Sequence, residues 1–368
     1  MVHELMRTLS VFPAVALAVV LAPLNSAAQD TLRMPPGNGG FDSAYVIDCT
    51  HMLTTRFYVS SKFNAMNMRD QDIRSNVEYR PNTRTNLGLG ASYRALTLNI
   101  GIGFPFLNSD DSLRGKTRYF DGQANIYGRR WVINLFAQSY RGYYIDRLSY
   151  PGSAAQDSTY LRIMDDERLR PDMRQRNLGV SVMHIFGNKR FSYRAAFNQD
   201  AWQKRSAGSM LLGGNVVYQG LRADHSTIPV AVDSLFSPAL RFRRIDQFEV
   251  GGLFGYAHTF VIAKHVFFSL STSGGLGLAY SRSTTPSEEG DKLRDDWSLA
   301  VRTQARVAMG YNSARTYVGV QYVNEQSITN LTPGAQYAWN VGNYRLFITY
   351  RFKARVKPVD AAMRWFGQ

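Results

Sequence analysis

Cysteine is all but absent from this 368-residue chain: Cys49 stands alone. One thiol excludes an intramolecular disulfide framework and a CxxC redox or zinc pair. Because Cys49 follows Asp48, with no small residue before it, a lipoprotein attachment site is excluded too. Histidine is nearly as scarce, with six in all, and the spacings HExxH and GxSxG do not occur, which removes the common zinc-hydrolase and serine-hydrolase signatures. Beyond residue 28 there is no uninterrupted apolar run of the roughly 18 residues that a membrane-spanning helix needs. Acidic residues are also few, 28 against 43 lysines and arginines, for a formal net charge of +15. The arginines are scattered along alternating segments and accompany no nucleic-acid-binding motif, so a groove-binding module is not indicated.

What the chain has instead is alternation. Over residues 295–311, Trp297, Leu299, Val301, Ala305, Val307, Met309 and Tyr311 share one face, and Ser298, Ala300, Arg302, Gln304, Arg306 and Ala308 the other. A period of two is the signature of a strand, and this one far exceeds the five or six residues (approximately) usual in soluble proteins. At about 3.3 Å per residue and a tilt near 45°, the span from Trp297 to Tyr311 projects to roughly 30 Å, the thickness of a bilayer core. In hydrocarbon a strand leaves no backbone group unpaired only if the sheet closes into a barrel. The 21 Tyr, 21 Phe and 5 Trp fit the aromatic girdles of such a barrel. A mean hydropathy of −0.26 fits as well, since every second residue faces a polar interior.

The N-terminus carries the pattern of a secretory leader: Arg7, an apolar run over residues 10–24, and the small residues Ser26, Ala27 and Ala28. The expected organisation is a signal peptide over 1–28, a periplasmic lead over 29–52, an outer-membrane barrel over 53–352 and a basic tail over 353–368. Alternating segments at 53–66, 84–94, 96–106, 117–128, 130–144, 174–187, 208–220, 243–259, 265–281, 295–311, 314–329 and 341–352 give an all-β, transmembrane antiparallel β-barrel of about 12 strands. The alternative is 14, if residues 188–207 form a further hairpin. Short links at Arg94–Ala95, Gly128–Arg130 and Asn312–Ser313 belong on the periplasmic side, and the long loops 145–173, 221–241 and 282–294 outside. On this register 188–207 folds against or into the periplasmic mouth, because Phe191, Tyr193, Phe197 and Trp202 need burial.

The segments YRPNTRTNLGLGASYRALTLNIGIGFPF (79–106) and RFSYRAAFNQDAWQKRSAGSMLLGG (190–214) resemble the DUF4421 family of outer-membrane barrel-like proteins. The resemblance rests on Tyr79, Pro81, Asn82, Gly88 and Gly90 in the first, and on Phe191, Ser192, Tyr193, Phe197, Gln199, Gln203, Ser206, Ala207 and Gly208 in the second. It implies architecture and location from about Cys49 to Phe352. It implies no chemistry, the family having no assigned reaction. A barrel-assembly signal usually closes on a terminal aromatic, whereas Phe352 is followed here by the basic tail.

Candidate chemistry is sparse. His184 with Ser181, or His265 with Ser269, is the pairing a barrel-embedded hydrolase of lipid or surface glycan would use, but sequence places neither pair within hydrogen-bond reach, and no catalytic residue is assigned. The acids Asp165, Asp166, Glu167, Glu288, Glu289, Asp291, Asp295 and Asp296 fall in loops without EF-hand spacing, and the glycines around Gly88 and Gly274 lack the helix of a phosphate loop. Neither metal nor cofactor is expected. The one constellation is a set of inward basic residues, Arg94, Arg302, Arg306, Arg345 and Arg351 with Arg56 and Lys62. A positive lumen favours anions, unless Glu249, Glu325 and other acids pair with it and close the pore. The expectation is therefore a protein of the cell outer membrane, a small anion-leaning channel or a structural envelope protein. Its partners would be outer-membrane lipid and lipopolysaccharide and the barrel-assembly machinery, with no nucleic acid. Amino-terminal sequencing of the mature protein should begin at Gln29; a start at Met1 would remove the secretory premise.

Overall fold

The computed structural model describes residues 38–83, 85–94, 96–103, 111–153 and 157–354. The expected signal peptide, the first part of the lead and nearly all of the basic tail lie outside the described residues. The strands are β1 (Val46–Asp48), β2 (Leu53–Asp70), β3 (Ser75–Arg80), β4 (Thr85–Tyr93), β5 (Leu96–Gly103), β6 (Arg118–Tyr127), β7 (Trp131–Ser149), β8 (Leu169–Ile185), β9 (Ala201–Gln203), β10 (Ala207–Arg222), β11 (Arg244–Ile262), β12 (Val266–Thr285), β13 (Lys292–Asn312), β14 (Thr316–Thr332) and β15 (Ala335–Phe352). Every pairing is antiparallel, and β15 pairs with β2 along its whole length, from Ala335 opposite Asp70 to Phe352 opposite Leu53, so the sheet closes on itself. Among the described residues no helix is long and apolar enough to cross a membrane.

The closed ring holds ten strands, β2, β3, β7, β8 and β10 to β15, where twelve or fourteen were expected. The difference comes from β3, a six-residue strand absent from the expected set. After the turn at Arg74 it returns on β2 only over Met66 to Asp70, then pairs with β7 over Tyr144 to Ser149. In the other half of the wall β2 pairs with β4, β4 with β5, and β7 with β6. Gly142 marks the handover on β7: its φ is +90°, and a Cβ there would stand 2.4 Å from the Lys116 carbonyl oxygen, a site that favours glycine on both counts.

Both rims follow from the turns. Arg94, residues 128–130, 263–265 and 313–315 link strands at one end, called here the turn rim; residues 150–168, 223–243 and 286–291 link them at the other, the loop rim. Residues 186–206 lie at the turn rim, and the long 145–173 region at the loop rim, on the side opposite Ser313.

Side-chain burial is inverted relative to a soluble protein. Phe248, Val250, Phe254, Leu270, Leu276 (67% exposed), Leu278, Trp297 (73%) and Leu299 point outward, whereas Asn177, Ser181, Asn215, Gln247, Glu249, Arg302 and Gln304 are buried inside. Aromatic and histidine rings gather on the outer wall, Trp131, His184 and Phe186 near the turn rim and Tyr280 with Trp297 near the loop rim. This is the face a membrane barrel shows to lipid. If hydrocarbon surrounds the middle of the wall, Leu276→Arg should lower unfolding free energy by about 2–4 kcal/mol in a lipid-vesicle urea titration. An unchanged midpoint would mean that water, and not lipid, meets this face.

Candidate functional site: the barrel interior

The lumen is built in three layers. At the turn rim a plug over residues 191–203 fills the mouth. Its helix Tyr193–Phe197 is capped by Ser192, whose Oγ accepts from the Ala195 amide at 3.3 Å. Phe191, Tyr193, Phe197 and Trp202 are 0, 1, 5 and 3% exposed, as their need for burial requires. Phe191, Tyr193 and Phe197 pack with Tyr127, Met183, Phe267, Tyr317 and Phe347 of the wall, and Trp202 packs with Ile47, Cys49, Met52 and Ala314. Tyr317 donates to the Ala196 carbonyl (3.0 Å), Tyr193 to Ser271 Oγ (3.1 Å) and the Trp202 indole to the Lys264 carbonyl (2.8 Å). The lead contributes β1, which pairs with β9 of the plug. Cys49 is buried here, and burial pushes its thiol up to about 11, so it is no nucleophile near neutral pH.

The loop rim is closed by residues 223–243, read from sequence only as a long loop. Ile228, Val232, Phe236, Leu240 and Phe242 are fully buried against Met68, Tyr79, Leu148 and Tyr337 of the wall. The Ser237 amide donates to Asp70 (2.8 Å) and Arg170 to the Ser226 carbonyl (3.0 Å). The available signal was composition: seven large apolar residues between Ile228 and Phe242 are too many for a solvated loop.

Between the plugs lies a polar layer. Arg302 approaches both oxygens of Glu249 at 3.4 Å and Glu325 at 3.7 Å, and Arg306 pairs with Glu325 at 3.2 Å. Glu249 also accepts from Ser327 (2.6 Å) and Asn215 (2.9 Å). Arg306 bonds the Tyr127 hydroxyl, and Lys62 pairs with Asp121 at 2.9 Å. These charges come from β2, β6, β11, β13 and β14, so their pairing ties the wall together across its interior.

The five candidate arginines separate. Arg302 and Arg306 lie in the lumen, both paired. Arg345 faces the lumen over the rings of Tyr58 (5.3 Å) and Phe347 (5.7 Å) and has no ion-pair partner among the described residues. Arg351 is buried at the turn rim and clamps the plug, donating to the carbonyls of Gln199 (2.9 and 2.6 Å), Ala201 (3.3 Å) and Ser313 and to Asn312 Oδ1 (3.0 Å). Arg94 is corrected: it is exposed in the β4–β5 turn at φ +55°, over Tyr93 and outside the lumen. The turn takes its backbone out of the strand alternation that had assigned its side. Arg56, added on the same phase, bonds Asn99 (3.0 Å) and the Asn198 carbonyl (3.0 Å). Its room, like that of Tyr58, comes from Gly90 and Gly88, where a Cβ would stand 2.6 and 2.1 Å from those side chains.

Neither hydrolase pairing is assembled. His184 sits on the outer face between Trp131 and Phe186, while Ser181 faces inward to Asn134. His265 stacks between Trp202 and Tyr311 and approaches the Asn312 carbonyl with Nδ1 (3.1 Å), while Ser269 is buried on Thr259. Among the described residues no group of three or more His, Cys, Asp or Glu could hold a metal ion.

The chain matches the model of the family described as Domain of unknown function (DUF4421) over residues 41–352, and it belongs to that family. No functionally characterised relative matches it. Solved structures similar to it include the outer membrane protease OmpT of Escherichia coli, at 9% identity and a TM-score of 0.36 over 83% of this chain and 98% of that one. OmpT of Vibrio cholerae follows, at 10% identity and a TM-score of 0.27 over 82% and 98%. OccK1 of Pseudomonas aeruginosa has 11% identity and a TM-score of 0.15 over 82% and 98%. Likenesses this low carry no functional argument.

Glu249→Gln should destabilise the barrel by up to about 3–5 kcal/mol, because it leaves the buried Arg302 only its longer contact with Glu325, a carboxylate already shared with Arg306. Glu249→Gln combined with Arg302→Met should recover much of that loss. Equal midpoints for the single and double variants in a denaturant titration would show that the two residues are not coupled.

Proposed function

We propose that this member of the DUF4421 family is an outer-membrane barrel that does not conduct, a structural component of the envelope and not an anion channel. The observation that carries the reading is the closure of the lumen at both ends by apolar plugs, with Arg302 and Arg306 between them neutralised by Glu249 and Glu325. A conducting pore needs a continuous wetted path and charges free to meet a passing ion. Here the plugs remove the path, and the ion pairs take up the charge of Arg302 and Arg306. The alternative of a barrel-embedded hydrolase has no assembled acid, base and nucleophile among the described residues to support it.

In this reading the turn rim faces the periplasm and the loop rim the outside, following the loop-length asymmetry of such barrels. The outward belt of Phe, Leu, Val and Trp side chains meets membrane lipid, and lipopolysaccharide surrounds the outer rim. Insertion is the work of the barrel-assembly machinery, with Phe352, the last residue of β15, as the aromatic it would read.

Planar-bilayer recording tests the reading. The intact protein should give no steady conductance, and excising residues 191–203, with a short linker in their place, should produce one if the variant still migrates as a folded barrel. Steady conductance from the intact protein would restore the channel reading.

A further inference from the structure

The ten-strand ring is closed, yet half of the wall is not. On the turn-rim side β4 and β5 hang from β2, and β6 from β7, but no backbone pairing joins β5 to β6 among the described residues. Residues 97–102 of β5 and 123–126 of β6 are exposed on both faces, unlike the long strands that have neighbours on both sides. A cavity of about 410 Å³ opens at this seam. Its lining runs through the wall, from the lipid-facing Leu98, Ile126 and Leu135 to the lumen-facing Asn343, Arg306 and Arg345. With both mouths plugged, the seam is the approach that the described residues leave to this space.

The chemistry of the cavity differs between its two ends. At the lipid end the exposed Leu98, Ile126 and Leu135 present hydrocarbon. At the inner end three guanidinium groups, Arg56, Arg306 and Arg345, face one carboxylate, Glu325. Arg306 is paired with Glu325, and Arg56, without an ion pair, hydrogen-bonds Asn99 and the Asn198 carbonyl; Arg345 has neither an ion pair nor a side-chain hydrogen bond among the described residues, only the rings of Tyr58 and Phe347. A polar, cationic pocket reached through an apolar gap between two strand edges fits a molecule with an anionic head and a hydrocarbon tail. The volume lies within the range of about 300–1,000 Å³ usual for small-ligand sites.

We propose that the β5–β6 seam is a lateral entry through which a single-chain anionic amphiphile passes from the membrane into the barrel wall, its head held by Arg345 and its tail lying in the seam. This rests on the barrel standing in a membrane, but not on whether it conducts.

The test uses the intact barrel in phosphatidylcholine vesicles and, as probe, a stearate carrying a nitroxide on its chain, followed by electron spin resonance. The free acid should show a motionally restricted component that saturates near one probe per barrel. Its methyl ester should bind at least tenfold more weakly. Arg345→Gln should weaken binding of the acid tenfold or more and Arg345→Lys by less, while Arg130→Gln, a surface control at the turn rim, should leave it unchanged. Ala124→Trp, on the exposed edge of β6, should block entry without altering the interior charge; it keeps the test decisive if Arg345→Gln does not fold, which heat-modifiable electrophoretic mobility reports. Equal restriction of acid and ester, or of the native and both substituted barrels, would overturn the proposal, as would displacement of the probe by butyrate at equal concentration, since the tail would then contribute nothing. Binding lost in Arg345→Gln but retained in Ala124→Trp would overturn the lateral route. Conductance recorded on the same preparation separates these outcomes from a failure of the non-conducting reading.

Discussion

Backbone pairing around the ring is the constraint from which the rest of this molecule follows. A strand in hydrocarbon can satisfy its amides only through its neighbours, so β15 must return to β2, as it does over 18 residue pairs. Closure then dictates the side chains. The outer face must be apolar, and the inner face, being the only other face a strand has, inherits whatever polar groups the sequence carries. The interior of this barrel is accordingly rich in Ser, Asn, Gln and Arg, and the question becomes how those groups are satisfied.

The charged groups at the barrel's centre are satisfied largely by one another. Bringing a guanidinium out of water costs several kcal/mol (roughly) unless a partner and further hydrogen bonds meet it. Glu249 supplies both for Arg302, holding Asn215 and Ser327 as well, and Glu325 bridges Arg302 and Arg306. Glu325 joins the neighbouring strands β13 and β14, whereas the Glu249–Arg302 pair skips over β12 and the Arg306–Tyr127 bond reaches from β13 to β6, so these two act as struts across the interior. The plugs at the two mouths extend the same principle: Arg351 spends its donors on the carbonyls of Gln199, Ala201 and Ser313, and so fixes the inserted segment to the last strand.

Much of this was legible in the alternation of the sequence. The phase that put Trp297, Leu299 and Met309 outside and Arg302 and Arg306 inside holds through the structure, because in a wall one residue thick the strand period leaves a side chain only two directions. The aromatic demand of Phe191, Tyr193, Phe197 and Trp202 likewise pointed to a buried connection. What the alternation could not show is where a strand changes partner. β3 is six residues long and lies beside segments with the same pattern, so nothing local distinguishes a ring strand from a continuation of β2; the handover at Gly142 is a tertiary event. Arg94 shows the same limit at a turn, where a left-handed residue breaks the two-fold phase. The second plug was missed for a different reason. Its apolar residues follow neither period two nor a helical period, being set in two short turns over Val230–Leu235 and Pro238–Leu240, and only their density gave them away.

The two halves of the wall obey the closure rule to different degrees. Where β3 bridges β2 and β7, the ring is complete. Toward the turn rim the same two strands diverge, and β4, β5 and β6 fill the widened gap from either side without meeting. Short β3 is thus the element that holds the barrel closed while leaving room for a cavity below it, and the unpaired cation Arg345 lies on the cavity side of that division. The plugs give the division its consequence. An interior sealed at both mouths is separated from water on either side of the wall, so a space that communicates with anything must do so through the wall itself, and the wall is interrupted at the seam. A rigid ring, struts of paired charge and a single interrupted sector are three solutions to one problem, that of keeping polar groups satisfied inside a surface that lipid requires to be apolar.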